Sequence, residues 1–173
     1  MRLFIAICLT DKMKEPLLGL QREIAARGGD CALTKARNMH LTLAFIGEYE
    51  RPGEVLKAMQ SVPFEPFELS LSGAGTFGSI LWGGVSCPDS LFGYVRSLKK
   101  ALSDRGIPFD EKPFKPHITV ARKFSGSTGG LNPGGASMTA NRISLMSSER
   151  TPGGMEYKEI AKVISFSQKK PEK

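Results

Sequence analysis

The sequence predicts an α+β fold with largely antiparallel sheets, and three observations support that reading. Strand-like and helix-like segments alternate without a strict βαβ rhythm, and the turns between them are rich in Gly and Pro. The segment opening at His40 (HLTLAF) is also echoed in the second half at His117 (HITVAR), which adds an expectation of two related lobes. Residues 1–167 are expected to form one domain with two such lobes, and 168–173 a polar, frayed tail.

Taken in order, residues 2–9 form a short aliphatic and aromatic run that suits a buried strand. One basic residue precedes its apolar part, Leu3 to Leu9, and no small-residue cleavage pattern follows, so it is not expected to be a leader. Met13, Leu17, Leu20 and Ile24 recur at helical spacing, with Pro16 assigned to the first turn and Gly28-Gly29 as the stop. Residues 31–34 suit a short strand and 40–46 a better one. Residues 52–61 begin at a proline and end before Pro63, as a short helix does. Phe67, Leu69 and Leu71 alternate with polar neighbours, and residues 80–85 make a second strand beside them. Leu91, Phe92, Val95, Leu98 and Leu102 share one helical face, entered through Pro88-Asp89 and left through Gly106. Residues 106–116 contain three prolines and are extended, whereas 117–122 form a strand. Residues 125–135, with five glycines, read as a mobile loop, and strands are expected at 142–146 and 160–166.

Composition narrows the function. The chain has 173 residues, 40% hydrophobic and 24% charged, enough for a sizeable core. No apolar run approaches the length of a membrane span, so no membrane partner is expected. Lys and Arg number 24 against 17 acidic residues, and the net charge of +7 favours anionic partners, nucleic acid first. Cys8, Cys31 and Cys87 lack the paired spacing of zinc or redox motifs, so structural thiols in a reducing, cytoplasmic setting are expected.

Only two histidines are present, and both stand in the pattern His, aliphatic, Thr, aliphatic: His40-Leu41-Thr42-Leu43 and His117-Ile118-Thr119-Val120. With eight threonines available, chance places one two residues beyond both histidines about once in five hundred. Side chains alternate across a strand, so His40 shares a face with Thr42, and His117 with Thr119, while the aliphatic pairs point to the core. Two such strands facing one another would make a cleft with a proton carrier on each side, and imidazole titrates nearest neutrality. A lone strand histidine is more often structural, but the matched pair favours catalysis. Two histidines without a Cys, Asp or Glu at ligand spacing do not complete a metal site, and no cofactor is expected.

Together with their flanks, these motifs resemble the 2H phosphoesterase superfamily, and within it the RNA 2′,3′-cyclic phosphodiesterase family, LigT-like and once described as 2′-5′ RNA ligases. The likeness runs nearly end to end: MRLFIAI at the start, Asn38-Met39 leading into HLTLAFIG, LWGGV at 81–85, and Phe114-Lys115-Pro116 leading into HITVAR, then a Ser-rich strand before Tyr157. The resemblance implies two pseudo-symmetric lobes with outer helices and motif strands lining a central groove. It also implies metal-independent opening of RNA 2′,3′-cyclic phosphate termini to 2′-phosphomonoesters, with His40 as proton donor, His117 as proton acceptor, and Thr42 and Thr119 on the phosphate oxygens. Arg122 would contact phosphate, and Phe45 would stack a base. The partners implied are RNA 3′ ends, tRNA fragments among them, and the chain is expected to act as a monomer.

Strict alternation puts Arg122, five residues after His117, on the face away from the groove unless the strand bends. Phe45 stands at the same offset from His40 and suits a core position as well as a stacking one. Gly73-Ala74-Gly75-Thr76-Phe77-Gly78 matches a dinucleotide-binding fingerprint by letter, but a strand rather than a helix follows, so a turn between strands is expected. Lys99, Lys100, Arg105, Lys112, Lys115, Arg122 and Lys123 either flank the groove or form a solvated basic face. Cleavage of 2′-5′ linkages, hydrolysis of a small cyclic nucleotide and non-catalytic binding of RNA ends remain as alternative activities.

Overall fold

Two antiparallel sheets meet along the strands that carry the repeated motif. The computed structural model describes residues 1–166, so the tail expected at 168–173 lies outside the described residues. In chain order the elements are β1 (Arg2–Cys8), α1 (Asp11–Ala26), β2 (Ala32–Leu33), a 3₁₀ turn (Ala36–Asn38), β3 (His40–Glu48), α2 (Pro52–Gln60) and β4 (Phe67–Phe77). They continue with β5 (Ile80–Ser86), α3 (Asp89–Asp104), β6 (His117–Arg122), β7 (Ser137–Ala140), β8 (Arg142–Thr151) and β9 (Gly154–Ile164). One sheet has the order β3-β1-β8-β9, the other β2-β6-β5-β4-β7. The α+β class, the antiparallel pairing and the outer helices are as the sequence predicts.

Each motif strand is embedded in a sheet completed by the other half of the chain. β8 and β9 join the sheet of β3, while β2 joins that of β6. The helices follow the same exchange, since α1 packs on β6 and β7 whereas α3 packs on α2 and β3. The apolar stripe of α1 explains its seat, because Met13, Leu17, Leu20 and Ile24 are all buried against the core. At about 1.5–3 kcal/mol for each fully buried side chain, that stripe outweighs the helix's weak intrinsic propensity. A polar clasp adds specificity. Gln21, buried on the same face, donates Nε2–H bonds to the carbonyls of Val120 (3.0 Å) and Thr34 (2.6 Å), tying α1 to the end of β6.

Some boundaries differ from the sequence expectation. Thr10 caps α1 by accepting from the Met13 amide (3.3 Å), so the helix starts early and Pro16 falls in its second turn. Pro16 carries no N–H for the carbonyl of Lys12, which is exposed to water. β4 runs on through the glycine-rich stretch to Phe77, and only Gly78-Ser79 make the turn, so Gly73 to Phe77 are strand and not turn. Within the stretch it is Gly75 that serves close approach, since a Cβ there would lie 2.6 Å from the ring of Trp82, whereas Gly73 and Gly78 take positive φ; on β5, a Cβ on Gly84 would collide with the carbonyl oxygen of Ser72. β7 was not expected, and the last strand begins at Gly154, where a Pro152-Gly153 turn pairs it with β8.

Candidate active site

β3 and β6 are built alike. In each, the histidine and threonine of the motif are half-buried on the groove side, and the aliphatic residue between them is buried in the core. In each, a bulge follows the threonine. Ile5 pairs with Ala44 and Ala6 with Thr42, leaving Leu43 as the extra residue, while Leu81 pairs with Ala121 and Trp82 with Thr119, leaving Val120. The bulge resets the alternation by one, so Leu43-Ala44 and Val120-Ala121 are consecutive buried pairs. The fifth residue after each histidine therefore returns to the groove side, which answers the difficulty that strict alternation raised for Arg122 and Phe45.

The two imidazoles are held in the same way. Nδ1 of His40 lies 2.7 Å from the carbonyl oxygen of Asn38, and Nδ1 of His117 lies 2.7 Å from that of Lys115. A carbonyl only accepts, so Nδ1 is the protonated nitrogen of each neutral ring and Nε2 is left as the base. The Asn38 segment is itself anchored, because Asn38 Nδ2 donates to the Met155 carbonyl (2.9 Å) and Arg37 pairs with Glu156 (2.5 Å) on β9.

Their surroundings differ. The His40 ring packs against Phe4 (4.7 Å between centroids) and meets Tyr157 edge-on (5.2 Å), whereas among the described residues His117 meets one ring, that of Phe77, edge-on (5.0 Å). Burial is the main cause that pushes the His40 pKa down to about 4, and the charges of Arg122 and His117 add to it against the Asn38 hydrogen bond. At neutral pH the free His40 is therefore neutral.

A cavity of about 280 Å³ lies between the sheets, lined by His40, Thr42, His117, Thr119 and Arg122 together with Lys35, Asn38, Leu33, Met155 and Tyr157. The four motif side chains and Arg122 are thus brought together. Phe45 is not. It lines a second cavity of about 510 Å³ that shares Thr42 and His117 with the first. Its ring lies under the guanidinium of Arg2, 4.9 Å away, and packs with Phe4 and Met146. Among the described residues, Arg122 forms no ion pair, so its guanidinium is uncommitted.

Tyr157, Phe4 and Phe77 border the histidines and were not singled out as site residues. A signal existed for the bulges, since Leu-Ala and Val-Ala each interrupt the period-two pattern at the same offset. None existed for the rings, which come from β1, β4 and β9. Of the basic residues, Lys99, Lys112 and Lys115 line the second cavity, whereas Lys100 pairs with Asp104 and Arg105 with Glu54. Residues 125–135 line neither cavity. Their Leu131 is buried, and the Ser127 carbonyl accepts from Arg27. Among the described residues no three His, Cys, Asp or Glu side chains are grouped to hold a metal ion, and no helix is long and apolar enough to cross a membrane. The three cysteines are half-buried and unpaired.

The family described as LigT like phosphoesterase matches residues 7–87 and 83–157. An RNA 2′,3′-cyclic phosphodiesterase of Archaeoglobus fulgidus is 30% identical, over 92% of this chain and 98% of that protein. A protein of the same description from Geobacillus stearothermophilus is 34% identical over 71% of this chain, which spans only 42% of that longer protein. Among solved structures, LigT of E. coli in its apo form superposes with a TM-score of 0.86 at 26% identity, over 96% of this chain and 98% of that one.

Proposed function

The chain belongs to the LigT-like phosphoesterase family, and on that premise we propose that it hydrolyses the 2′,3′-cyclic phosphate at an RNA 3′ end to a 2′-phosphomonoester. The observation that carries this reading is the meeting in one cavity of both His-Thr pairs and an arginine that forms no ion pair among the described residues. In-line displacement at phosphorus needs a proton taken from the incoming water and one given to the oxygen departing on the opposite side. Nε2 of His117 takes the water proton as the new P–O bond forms. Nε2–H of His40 protonates the 3′ oxygen as the P–O3′ bond breaks. The hydroxyls of Thr42 and Thr119 donate to the non-bridging oxygens, and Arg122 pairs with their growing charge.

His40 can donate only when protonated, yet burial holds the free imidazole neutral, with a pKa of about 4. A bound phosphate anion reverses the balance, since negative charge beside the ring favours the imidazolium. Substrate binding and loading of the acid are then one event. Acid, base and charge stabiliser all come from side chains, so turnover should survive a chelator.

The test is product mapping on a short oligonucleotide with a 2′,3′-cyclic end, with and without EDTA. A 2′-phosphate as product in both conditions supports the reading. A 3′-phosphate, loss of turnover with EDTA, or full activity in His40→Ala or His117→Ala refutes it. Binding without turnover would instead make the protein an RNA-end binding module.

A further inference from the structure

We propose that the second cavity is a track for the RNA chain preceding the cyclic end, which makes the substrate an oligoribonucleotide and not a lone cyclic nucleotide. The inference rests on the catalytic reading above and extends it to substrate length. The cavity opens from the reaction centre itself, because Thr42 and His117 line both spaces. At about 510 Å³ against 280 Å³, it is the larger of the two. With the cyclic phosphate between the histidines, a single nucleoside cannot fill both.

Its lining has the two chemistries that hold single-stranded RNA. Phe45, Phe77 and Phe114 present rings on which bases stack, and Lys99, Lys112 and Lys115 present ammonium groups to the backbone. Phe77 is 38% exposed beside His117, a large apolar surface that a stacked base would cover. The positive charge is available. Lys99 donates to the Lys112 carbonyl (3.1 Å), and Lys115 sits 5.9 Å from the centre of the Phe77 ring. Neither is paired with a carboxylate among the described residues. The one acidic lining residue, Asp110, is engaged by Lys112 through its amide (2.9 Å) and its ammonium (3.9 Å).

The experiment compares kcat/KM on a nucleoside 2′,3′-cyclic monophosphate and on a trinucleotide with the same cyclic end, for wild type and the double variant Lys99→Gln/Lys112→Gln. Wild type should prefer the trinucleotide at least about tenfold, with a log–log salt slope steeper by about 1.4 for two internucleotide phosphates. The double variant should lose most of that preference and of the extra slope while retaining its rate on the mononucleotide. Equal kcat/KM on the two substrates, or a variant that slows both alike, overturns the track and leaves the catalytic reading intact. If wild type turns over neither substrate, the catalytic reading has failed, and the track is judged by binding of a trinucleotide ending in a 2′-phosphate. A Kd about tenfold weaker in the double variant supports it. An unchanged Kd overturns it.

Discussion

Lowering the pH should destabilise the protein through His40 in a way that its replacement by glutamine abolishes. The ring is enclosed by Phe4 and Tyr157, and its pKa in the folded protein is pushed down to about 4 from an ordinary 6.5. The unfolded chain therefore binds the proton more tightly. The contribution of neutral His40 is complete above pH 6.5, declines as the pH falls and is exhausted below about 4. Integrated over that window, protonation costs about 2 kcal/mol of folding stability at pH 5 and about 3 kcal/mol at pH 4. His40→Gln preserves a side-chain N–H to face the Asn38 carbonyl but does not titrate. Urea unfolding of both proteins at pH 7.5, 5 and 4 gives the difference in stability at each pH, which cancels the carboxylates and His117 common to both. The difference should move against wild type by about 2 and then about 3 kcal/mol. A difference that stays flat across the three values would refute the claim that the enclosure of this ring controls its charge.

The remaining predictions concern the site and its frame. His40→Ala and His117→Ala should each lower kcat by about 10²- to 10⁴-fold, with circular dichroism unchanged at pH 7.5. Binding of sulfate at pH 7, an oxyanion with no proton of its own to exchange there, should take up a proton, seen in calorimetry as a binding enthalpy that tracks the ionisation enthalpy of the buffer. His40→Gln should remove that dependence. Arg122→Ala should raise KM and, by removing a neighbouring positive charge, raise the His40 pKa in an NMR titration. Arg122→Lys should restore the charge but not the two-pronged phosphate contact. Gly84→Ala should lower the unfolding free energy by about 1–3 kcal/mol or more, measured by thermal melting, because its Cβ meets the Ser72 backbone at 2.1 Å.

Much of the fold was legible because periodicity reports burial. The stripes of α1 and α3 and the alternation of β3 and β6 are direct images of the faces they bury. β7 was not legible, since Ser137–Ala140 is too short to show a period and becomes a strand by pairing with the edge of β4. The glycine-rich stretch misled for a related reason. Gly75 makes room for Trp82, a contact from the partner strand that local turn chemistry does not see, whereas Gly78 does serve the turn. In the site, the repeated motif could be read letter by letter, and the structure brings His40, Thr42, His117, Thr119 and Arg122 to one cavity. The position of Arg122 depends on a bulge at Val120, a two-against-one pairing with β5 that the consecutive Val120-Ala121 pair signals and only the partner strand fixes. The enclosure of His40 was equally hidden, because Phe4 and Tyr157 arrive from opposite ends of the chain.

The paired bulges give the two halves of the cleft the same backbone seat at the same offset, yet one seat holds a benzyl group and the other a cation. Two motif strands bulged alike would otherwise offer a ligand similar seats in either of two reversed poses. Different occupants of equivalent seats remove that degeneracy, so under the proposed function the direction of an RNA along the trough would be chosen by side chains and not by the backbone pairing. Exchanging them, Phe45→Arg with Arg122→Phe, would ask the same frame to thread its ligand backwards.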